Sequence, residues 1–471
     1  PPPSDSALWT SISVRESDDW HLLLDNGPNA LNWRLTAIDS ATESIDLQTF
    51  LWLWDDVGRQ VMRHVLAAAD RGVFIRLLVD DSFLLGDDQR SLALDEHPNI
   101  EYRIYNPYRE RPSRALGREL LNLNEFHRVD HRMHNKAMVI DNRVAIVGGR
   151  NLADEYFGLH PEANFRDLEL LVGGPIVQDV SAEFDRYWND SWSFPVSLVD
   201  SDKPSLDSVT DLLSSAPDAS GPHREIPPSE RREAWLTAIE QSHPGDPTLF
   251  ADNPLTEDPE APEGQPVQLA AELMKVLDHA EEEVIIISAY LIPTEKLEAA
   301  IAQAVDRGVS VRLLTNSIQS NNHLVAHSAY RKHIGTLMDS GAQLHEVKTD
   351  ARDRDRHMLN PVNDKKLALH AKALVIDRDR VFIGSTNLDP RSLRINSEMG
   401  LLVESPSLNA ALRQAVRPDF DQANAWSLER SEDGEVQWVS GDLVLDEQPA
   451  ASFMQRIEDW FLSHLPLEQE L

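Results

Sequence analysis

Apolar positions along this chain change their period in a regular order. From Ser44 to Trp54 they are dense and β-type. The next stretch, to about Arg71, carries them on one helical face, and Val73 to Val79 returns to a buried-strand run. The same succession recurs as a strand from Val284 to Tyr290, a helix from Thr294 to Asp306 and a strand from Val309 to Thr315. Strand–helix–strand alternation predicts a mixed, largely buried sheet covered by helices, an α/β fold. The best apolar stretch, Val284 to Pro293, is short and β-branched, and no run approaches the roughly 18 residues of a membrane span.

The recurrence is a duplication. Asp70-Arg71-Gly72-Val73 returns as Asp306-Arg307-Gly308-Val309, and Arg76-Leu77-Leu78 as Arg312-Leu313-Leu314, each 236 positions further on. His134-x-Lys136-Ala137 and His370-x-Lys372-Ala373 keep that offset, as do Asp141 and Asp377, Gly148 and Gly384, and Asn151-Leu152 and Asn387-Leu388. Chance matches do not share one offset, and a repeat this long is a domain rather than a solenoid unit. The expected division is a first lobe over 1–200, a second over 265–425, and a Pro/Ser/Asp-rich linker or insertion over 201–264. That linker holds ten of the 28 prolines, and only Glu230 to Gln241 reads as helical. The remainder, 426–471, reads as a hairpin and an amphipathic helix. There Phe453, Ile457, Trp460 and Phe461 share a face, which predicts docking on the core or, alternatively, contact with lipid.

Composition narrows the functional classes. With 471 residues and 41% hydrophobic content the chain can build a large core. Cysteine is absent, which removes disulfides, thiolate chemistry and Cys-based zinc sites. A formal charge of −35 disfavours bulk nucleic acid, which is bound through Lys and Arg on phosphates. An acidic, lysine-poor surface fits a high-salt source or simply a soluble surface. The chain opens Pro1-Pro2-Pro3-Ser4 without Met, which reads as trimming and leaves a lost anchor open.

Two short strings carry the chemistry. In a strand, residues i and i+2 face one side, so His134 and Lys136 address the same space, as do His370 and Lys372. Each string opens a predicted hairpin whose turn holds Asp141 or Asp377. Their odd spacing from the histidines reads as structural, with the carboxylates holding turn backbone. Behind each hairpin, Gly148-Gly149-Arg150-Asn151 and Gly384-Ser385-Thr386-Asn387 allow backbone to approach a phosphate, with Ser385 and the Asn151 and Asn387 amides as candidate contacts. Asn151 with Asp154 also resembles a capping box. Asp167 and Glu398 follow in new β-type stretches and could fix a histidine tautomer through Nδ1. Two histidines, two lysines and two asparagines converging would hold one tetrahedral phosphodiester. One imidazole would attack phosphorus while the other protonates the leaving alcohol, with lysines in place of a metal. The residues offer no obvious carboxylate cluster for magnesium or calcium, and no cofactor is expected.

These residues resemble the phospholipase D superfamily, whose signature is H-x-K-x4-D, here His134–Asp141 and His370–Asp377. That signature brings both aspartates into the candidate catalytic set. The resemblance implies two similar α/β lobes related by a pseudo-twofold axis with both motifs in one cleft, His134 as nucleophile and His370 as general acid. The chain is more closely similar to bacterial cardiolipin synthases of the C-type branch. The likeness rests on Arg132-Met133-His134-Asn135-Lys136, Val147-Gly148-Gly149-Arg150-Asn151, Glu155-Tyr156-Phe157-Gly158, Asn164-Phe165-Arg166-Asp167, Asn387-Leu388-Asp389-Pro390-Arg391-Ser392, Asn396-Ser397-Glu398-Met399-Gly400 and Leu465-Pro466-Leu467-Glu468. It implies transfer of a phosphatidyl group to phosphatidylglycerol through a phosphohistidine. The donor would be phosphatidylglycerol or phosphatidylethanolamine, and the place of work the surface of a bacterial membrane or envelope. Rival readings are a hydrolytic phospholipase D, a nuclease of the same superfamily, and a lipid-binding scaffold with a dead site. Between Asn106 and Met133 the chain is locally basic (Arg109, Arg111, Arg114, Arg118, Arg128, Arg132) and carries Leu116, Leu120, Leu121, Leu123 and Phe126. This segment reads either as an interfacial element admitting anionic lipid or as a solvated helical excursion.

Overall fold

The structure is a computed structural model that describes residues 3–12, 18–84, 88–111, 126–199, 226–254 and 268–463, with 122, 207, 209, 210 and 213 as single positions. In chain order the first half supplies β1 (Trp20–Leu24), β2 (Ser44–Thr49), β3 (Phe74–Asp80), β4 (Ile100–Tyr105) and β5 (Ala137–Ile140). It continues with β6 (Val144–Gly148), β7 (Ala163–Arg166), β8 (Glu169–Gly173), β9 (Ser193–Pro195) and β10 (His243–Pro244). All but β7 form one sheet in the order β10-β1-β8-β6-β5-β2-β3-β4-β9.

The second half supplies β11 (Asp246–Ala251), β12 (Glu283–Ser288), β13 (Ser310–Asn316), β14 (Gln343–Val347), β15 (Lys366–Leu369) and β16 (Lys372–Ile376). Then come β17 (Arg380–Gly384), β18 (Met399–Glu404), β19 (Ala425–Arg430), β20 (Val436–Ser440) and β21 (Leu443–Leu445). The second sheet runs β11-β18-β17-β16-β12-β13-β14-β19-β20-β21. Its run from β11 to β19 repeats the run from β1 to β9 strand for strand, with the same parallel or antiparallel sense at every junction. The duplication read from the 236-residue offset is thus a duplication of topology.

The central strands of both sheets are buried on both faces, and the alternation of side chains sorts them into cores. In β5, Met138 and Ile140 enter the core of the first lobe, while Ala137 and Val139 face the second. In β12, Val284 and Ile286 enter the core of the second lobe. Ile285 and Ile287 meet Val139, Leu170, Val375 and Leu401 in a core that the lobes share. The lobes also exchange backbone: β7 pairs in parallel with β15, from Ala163↔Lys366 to Arg166↔Leu369.

Local signals explain most element ends. Asp55 caps the helix Asp56–Asp70 by accepting from Gly58 N, and Thr294 caps Glu295–Asp306 by accepting from Leu297 N. The β-type stretch from Ser44 stops as a strand at Thr49, and Leu51 and Leu53 instead exchange backbone bonds with Leu152. Of the stretch read as linker, 201–264, most of 201–225 and all of 255–264 lie outside the described residues, while 226–254 forms regular elements. The helix Pro228–Gln241 seats Trp235 against Trp9 and Trp33, at ring-centroid distances of 5.3 and 5.1 Å. Beyond it, β10 and β11 form the outer edge of one sheet each. Pro244 and Pro247 are tolerated there because an edge strand leaves half its backbone donors unused. The predicted C-terminal hairpin is β19 and β20, which extend the second sheet. The following helix, Phe453–Ser463, does not turn its apolar face to the core: Phe453, Ile457, Trp460 and Phe461 are exposed, and Asp459 is buried instead.

Candidate active site

Both H-x-K strings run into the first residues of a central strand, β5 or β16, where the lobes meet. His134 is held by its backbone, whose N–H donates to Ser397 O at 2.9 Å, a residue of the other lobe. His370 is held in the mirrored way: its N–H donates to Arg166 O at 2.9 Å, and Ala371 N to the same oxygen at 3.0 Å. The carboxylates are exchanged too. His134 Nδ1 lies 2.9 and 2.8 Å from the two oxygens of Glu398, and His370 Nδ1 lies 2.6 Å from Asp167 Oδ2. An Nδ1–H bonded to a carboxylate leaves Nε2 as the reactive nitrogen. The residue types were legible in the sequence; the exchange between halves was not.

The lysines are buried beside the histidines. Lys136 Nζ donates to His134 O at 2.7 Å, Lys372 Nζ donates to His370 O, and Lys372 Nζ lies 3.0 Å from His370 Nδ1. Burial lowers the proton affinity of Lys136 to about 7 and of Lys372 to about 8, with Glu398 and Asp167 opposing that fall. Burial and then the lysine charges push both imidazoles down, His370 to about 3 and His134 well below its ordinary value. Each imidazole feels both lysines, one from each half, so the four groups form one electrostatic unit.

The two carboxylates differ. Burial alone would raise Asp167, but His370, Lys372 and Arg150 outweigh it and hold the group well below the usual range. Burial pushes Glu398 up to about 7 against the pull of Lys136 and Ser385. Two further acids lie near Glu398: burial raises Asp252 to about 8 and Asp389 to about 7, and each feels the Glu398 charge. Asp252 accepts from Glu398 N at 3.0 Å, and its own N–H donates to Glu398 O at 3.0 Å.

Other candidates find different places. Asp141 and Asp377 do not face the pocket. Asp141 accepts from Thr42 N, Glu43 N and Ser44 N, each at 2.8 Å, and from Trp9 Nε1 at 2.6 Å. Asp377 accepts from Glu281 N, Glu282 N and Glu283 N at 3.1, 2.7 and 3.2 Å. Both sit in left-handed turns (φ 53° and 47°), where a short polar side chain that bonds nearby backbone is favoured. Their place in the catalytic set is corrected to the structural role that the spacing indicated. Ser385 is likewise not free for phosphate, because its hydroxyl donates to Glu398 Oε2. Asn151 forms no capping box: Nδ2 donates to Tyr156 OH at 2.9 Å, and Asp154 accepts instead from Val57 N at 2.8 Å. The amide oxygens of Asn151 and Asn387 are buried without a partner.

Several site residues were not singled out from the sequence. Phe50 stands edge-on to His134 at 4.8 Å between centroids, with Lys136 Nζ 5.4 Å from its ring. Tyr156 and Phe165 flank His370 at 4.9 and 5.2 Å. Buried Arg150 donates to Asp167 O at 2.6 Å, to Leu24 O at 3.0 Å and to Glu169 Oε2 at 3.0 Å, which fixes the turn that carries Asp167. Its position after the glycine pair was the available signal. In the basic segment, Arg111 pairs with Asp81, and Arg132 lies over the Tyr108 ring and donates to Asn106 O at 3.0 Å. These arginines serve local structure, while Arg114, Arg118, Leu116, Leu120, Leu121, Leu123 and the 465–468 string lie outside the described residues.

Two topologically equal lobes that bring paired H-x-K strings to one pocket define the phospholipase D class of fold and site. Comparison with known proteins agrees. The family described as "Cardiolipin synthase, PLD-like domain" matches residues 35–188 and 273–420, and the chain belongs to that family. It is 34% identical to cardiolipin synthase C of Escherichia coli (strain K12) over 94% of each chain. It is 29% identical to cardiolipin synthase B of the same strain, over 83% of this chain and 78% of that one. The fold is similar to that of the phosphatidylserine synthase of Haemophilus influenzae Rd KW20, with TM-score 0.58 and 12% identity over 91% of this chain and 94% of that one.

Proposed function

We propose that the chain is a phosphatidyltransferase of the cardiolipin synthase type that works through a covalent phosphohistidine. The observation that carries this reading is the pair of Nε2-directed imidazoles, each braced by a carboxylate from the opposite lobe, beside two buried lysines. The first half-reaction forms a bond from Nε2 of one histidine, His134 by family resemblance, to the phosphorus of a phosphatidyl donor. The bond from phosphorus to the headgroup oxygen breaks, and His370, which takes up a proton at Nε2 as the diester anion binds, delivers that proton to the leaving oxygen. In the second half-reaction the hydroxyl of phosphatidylglycerol gives its proton to His370 and attacks phosphorus, and the P–N bond breaks.

Burial and the lysine charges favour the neutral form of both imidazoles. That state suits the nucleophile, and the arriving diester anion raises the proton affinity of the acid. Lys136 and Lys372 neutralise the equatorial oxygens. A half-turn of the Asn151 amide would give its NH2 to the phosphate and its oxygen to the Tyr156 hydroxyl, so that the buried oxygen gains a partner. Transfer exceeds hydrolysis when a lipid alcohol rather than water occupies the second position, and the aromatic flank of Phe50, Tyr156 and Phe165 favours that outcome.

The test is mass-resolved phosphatidylglycerol incubated with the purified chain, alone and with phosphatidylethanolamine. Cardiolipin is expected, with a loss of at least about a thousandfold in His134→Ala and in His370→Ala. Phosphatidic acid as sole product would assign the pocket to hydrolysis. Nicking of plasmid DNA without lipid turnover would assign it to nuclease chemistry, and undiminished cardiolipin output from either variant would exclude the mechanism.

A further inference from the structure

The C-terminal helix, Phe453–Ser463, is attached by its polar side. Asp459 is 0% exposed. Its carboxylate takes His327 Nδ1 at 2.8 Å, Ser328 Oγ at 2.9 Å and Arg331 Nη1 at 3.1 Å. One turn earlier, Gln455 Nε2 donates to Ile318 O at 3.0 Å and Arg456 Nε to Gln448 O at 3.0 Å. A buried carboxylate costs several kcal/mol unless it is paired in good geometry. The pairing therefore selects this orientation over the reverse, in which the apolar side would dock.

Much of the rest of the helix surface is apolar and open to solvent: Phe453 (73% exposed), Met454 (59%), Ile457 (43%), Trp460 (54%) and Phe461 (58%), with Phe453, Ile457 and Trp460 also lining an open groove beside Ile334, Val436 and Trp438. Among the described residues no other element exposes more than two large apolar side chains. We propose that this face is the surface by which the protein docks on a lipid bilayer. The inference rests on the lipid-substrate reading given above and names where the lipid phase meets the molecule.

Three observations select a bilayer as the occupant. First, five partly exposed side chains offer roughly 500–600 Å², below the roughly 800 Å² per partner of a stable protein interface. Second, the helix is tied to the stretch of chain that leads from β13 toward the second motif. Ile318, which receives Gln455, lies in the turn that follows β13. The last residue of that strand, Asn316, donates to Leu369 O at 2.8 Å, next to His370. Asn322 of the same turn accepts from the Tyr290 hydroxyl at 2.8 Å. The helix and the second motif are thus braced by one stretch of chain. Third, a chain of net charge −35 is repelled by anionic headgroups, so apolar insertion is the mode of attachment that its charge leaves favourable.

That last point gives the test its form. The full chain is sedimented with phosphatidylcholine vesicles, which carry no net charge, at about 0.1 and 1 M salt. The wild-type chain is expected to co-sediment at both. The bound fraction of a Phe453→Ser/Ile457→Ser/Phe461→Ser variant is expected to fall about tenfold or more. All three side chains are exposed, so circular dichroism and melting temperature should stay at wild-type values. Wild-type-like binding by the variant, no binding by the wild type, or binding confined to anionic vesicles and reversed by salt would each overturn the proposal. So would a solution dimer that the triple variant splits, since the face would then belong to a second copy. A His134→Ala/His370→Ala chain separates this proposal from the reaction. Vesicle binding by a wild-type chain that makes no lipid product would sink the proposed reaction and leave the surface standing.

Discussion

At the scale of single residues the two histidine–carboxylate pairs are related but unequal. Gly149 and Ser385 occupy matching positions at the 236-residue offset. A Cβ on Gly149 would stand 2.4 Å from Asp167 Oδ1, so glycine is required where the shorter acid folds close to the turn. In the other half the longer acid leaves room for Ser385, whose hydroxyl then bonds Glu398. Asp167 is thereby kept ionised beside Arg150 and Lys372, whereas Glu398 sits among Asp252 and Asp389 and is held near neutrality. The lysines give the most direct pH prediction. Lys136 and Lys372 are lowered to about 7 and about 8, so the pocket carries its full positive charge below both values and loses it as pH rises through them. Dimethyl phosphate keeps its single charge throughout, and its dissociation constant, measured by calorimetry, should level off well below about pH 7, climb up to about tenfold per unit between 7 and 8, and up to about a hundredfold per unit above 8 as the second lysine also loses its proton. A flat profile from about pH 6 to 9.5 would show that these lysines do not govern anion binding. The histidines and lysines were legible because a strand with period two makes H-x-K a single-sided motif. The partner of each histidine was not, because nothing in a linear string tells which half will supply the acid.

At the scale of elements, the turn aspartates show how a motif residue can serve the fold alone. Asp377 gathers three backbone N–H groups at the entry to β12 and a guanidinium bond from Arg380 at 2.8 Å. Asp377→Ala leaves those donors without their acceptor and should cost about 2 kcal/mol or more of stability. Activity should fall no further than the folded fraction, as followed by denaturant titration beside turnover. A much larger fall in turnover would return Asp377 to the reacting set. Because its carboxyl is held below the ordinary value, this contribution is present above pH about 3.8 and is lost as pH falls through the lower folded value. The central strands and their helices were readable from periodicity and caps. Three things were not: edge strands that contain proline, the early stop of β2, and the seating of the last helix. The seating failed to show because one buried carboxylate decided against the whole apolar stripe, and periodicity counts apolar positions without weighing a single ion pair.

At the scale of the molecule, the lobes share a core, a two-stranded ladder and a pocket, so they should unfold together. The large negative charge acts over the same scale. Self-repulsion among 79 acidic and 44 basic residues is screened as ionic strength rises. The melting temperature should therefore rise between about 0.05 and 1 M sodium chloride, and in a single calorimetric transition. A falling melting temperature, or two separated transitions, would contradict the picture. The general architecture was foreseeable from the repeat offset, which carries across sequence, topology and site. How the halves clasp was not, since interlobe contacts such as Met133↔Ser397 join residues that no repeat aligns.

The swapped acids have a consequence for inheritance. Because His134 leans on Glu398 and His370 on Asp167, half of this chain is not a weaker version of the whole but a reaction centre without its braces. A lone lobe could regain them only by clasping a twin, and a twin would supply two identical braces. In one polypeptide the two braces need not match, and here they do not: Gly149 goes with Asp167, and Ser385 with Glu398.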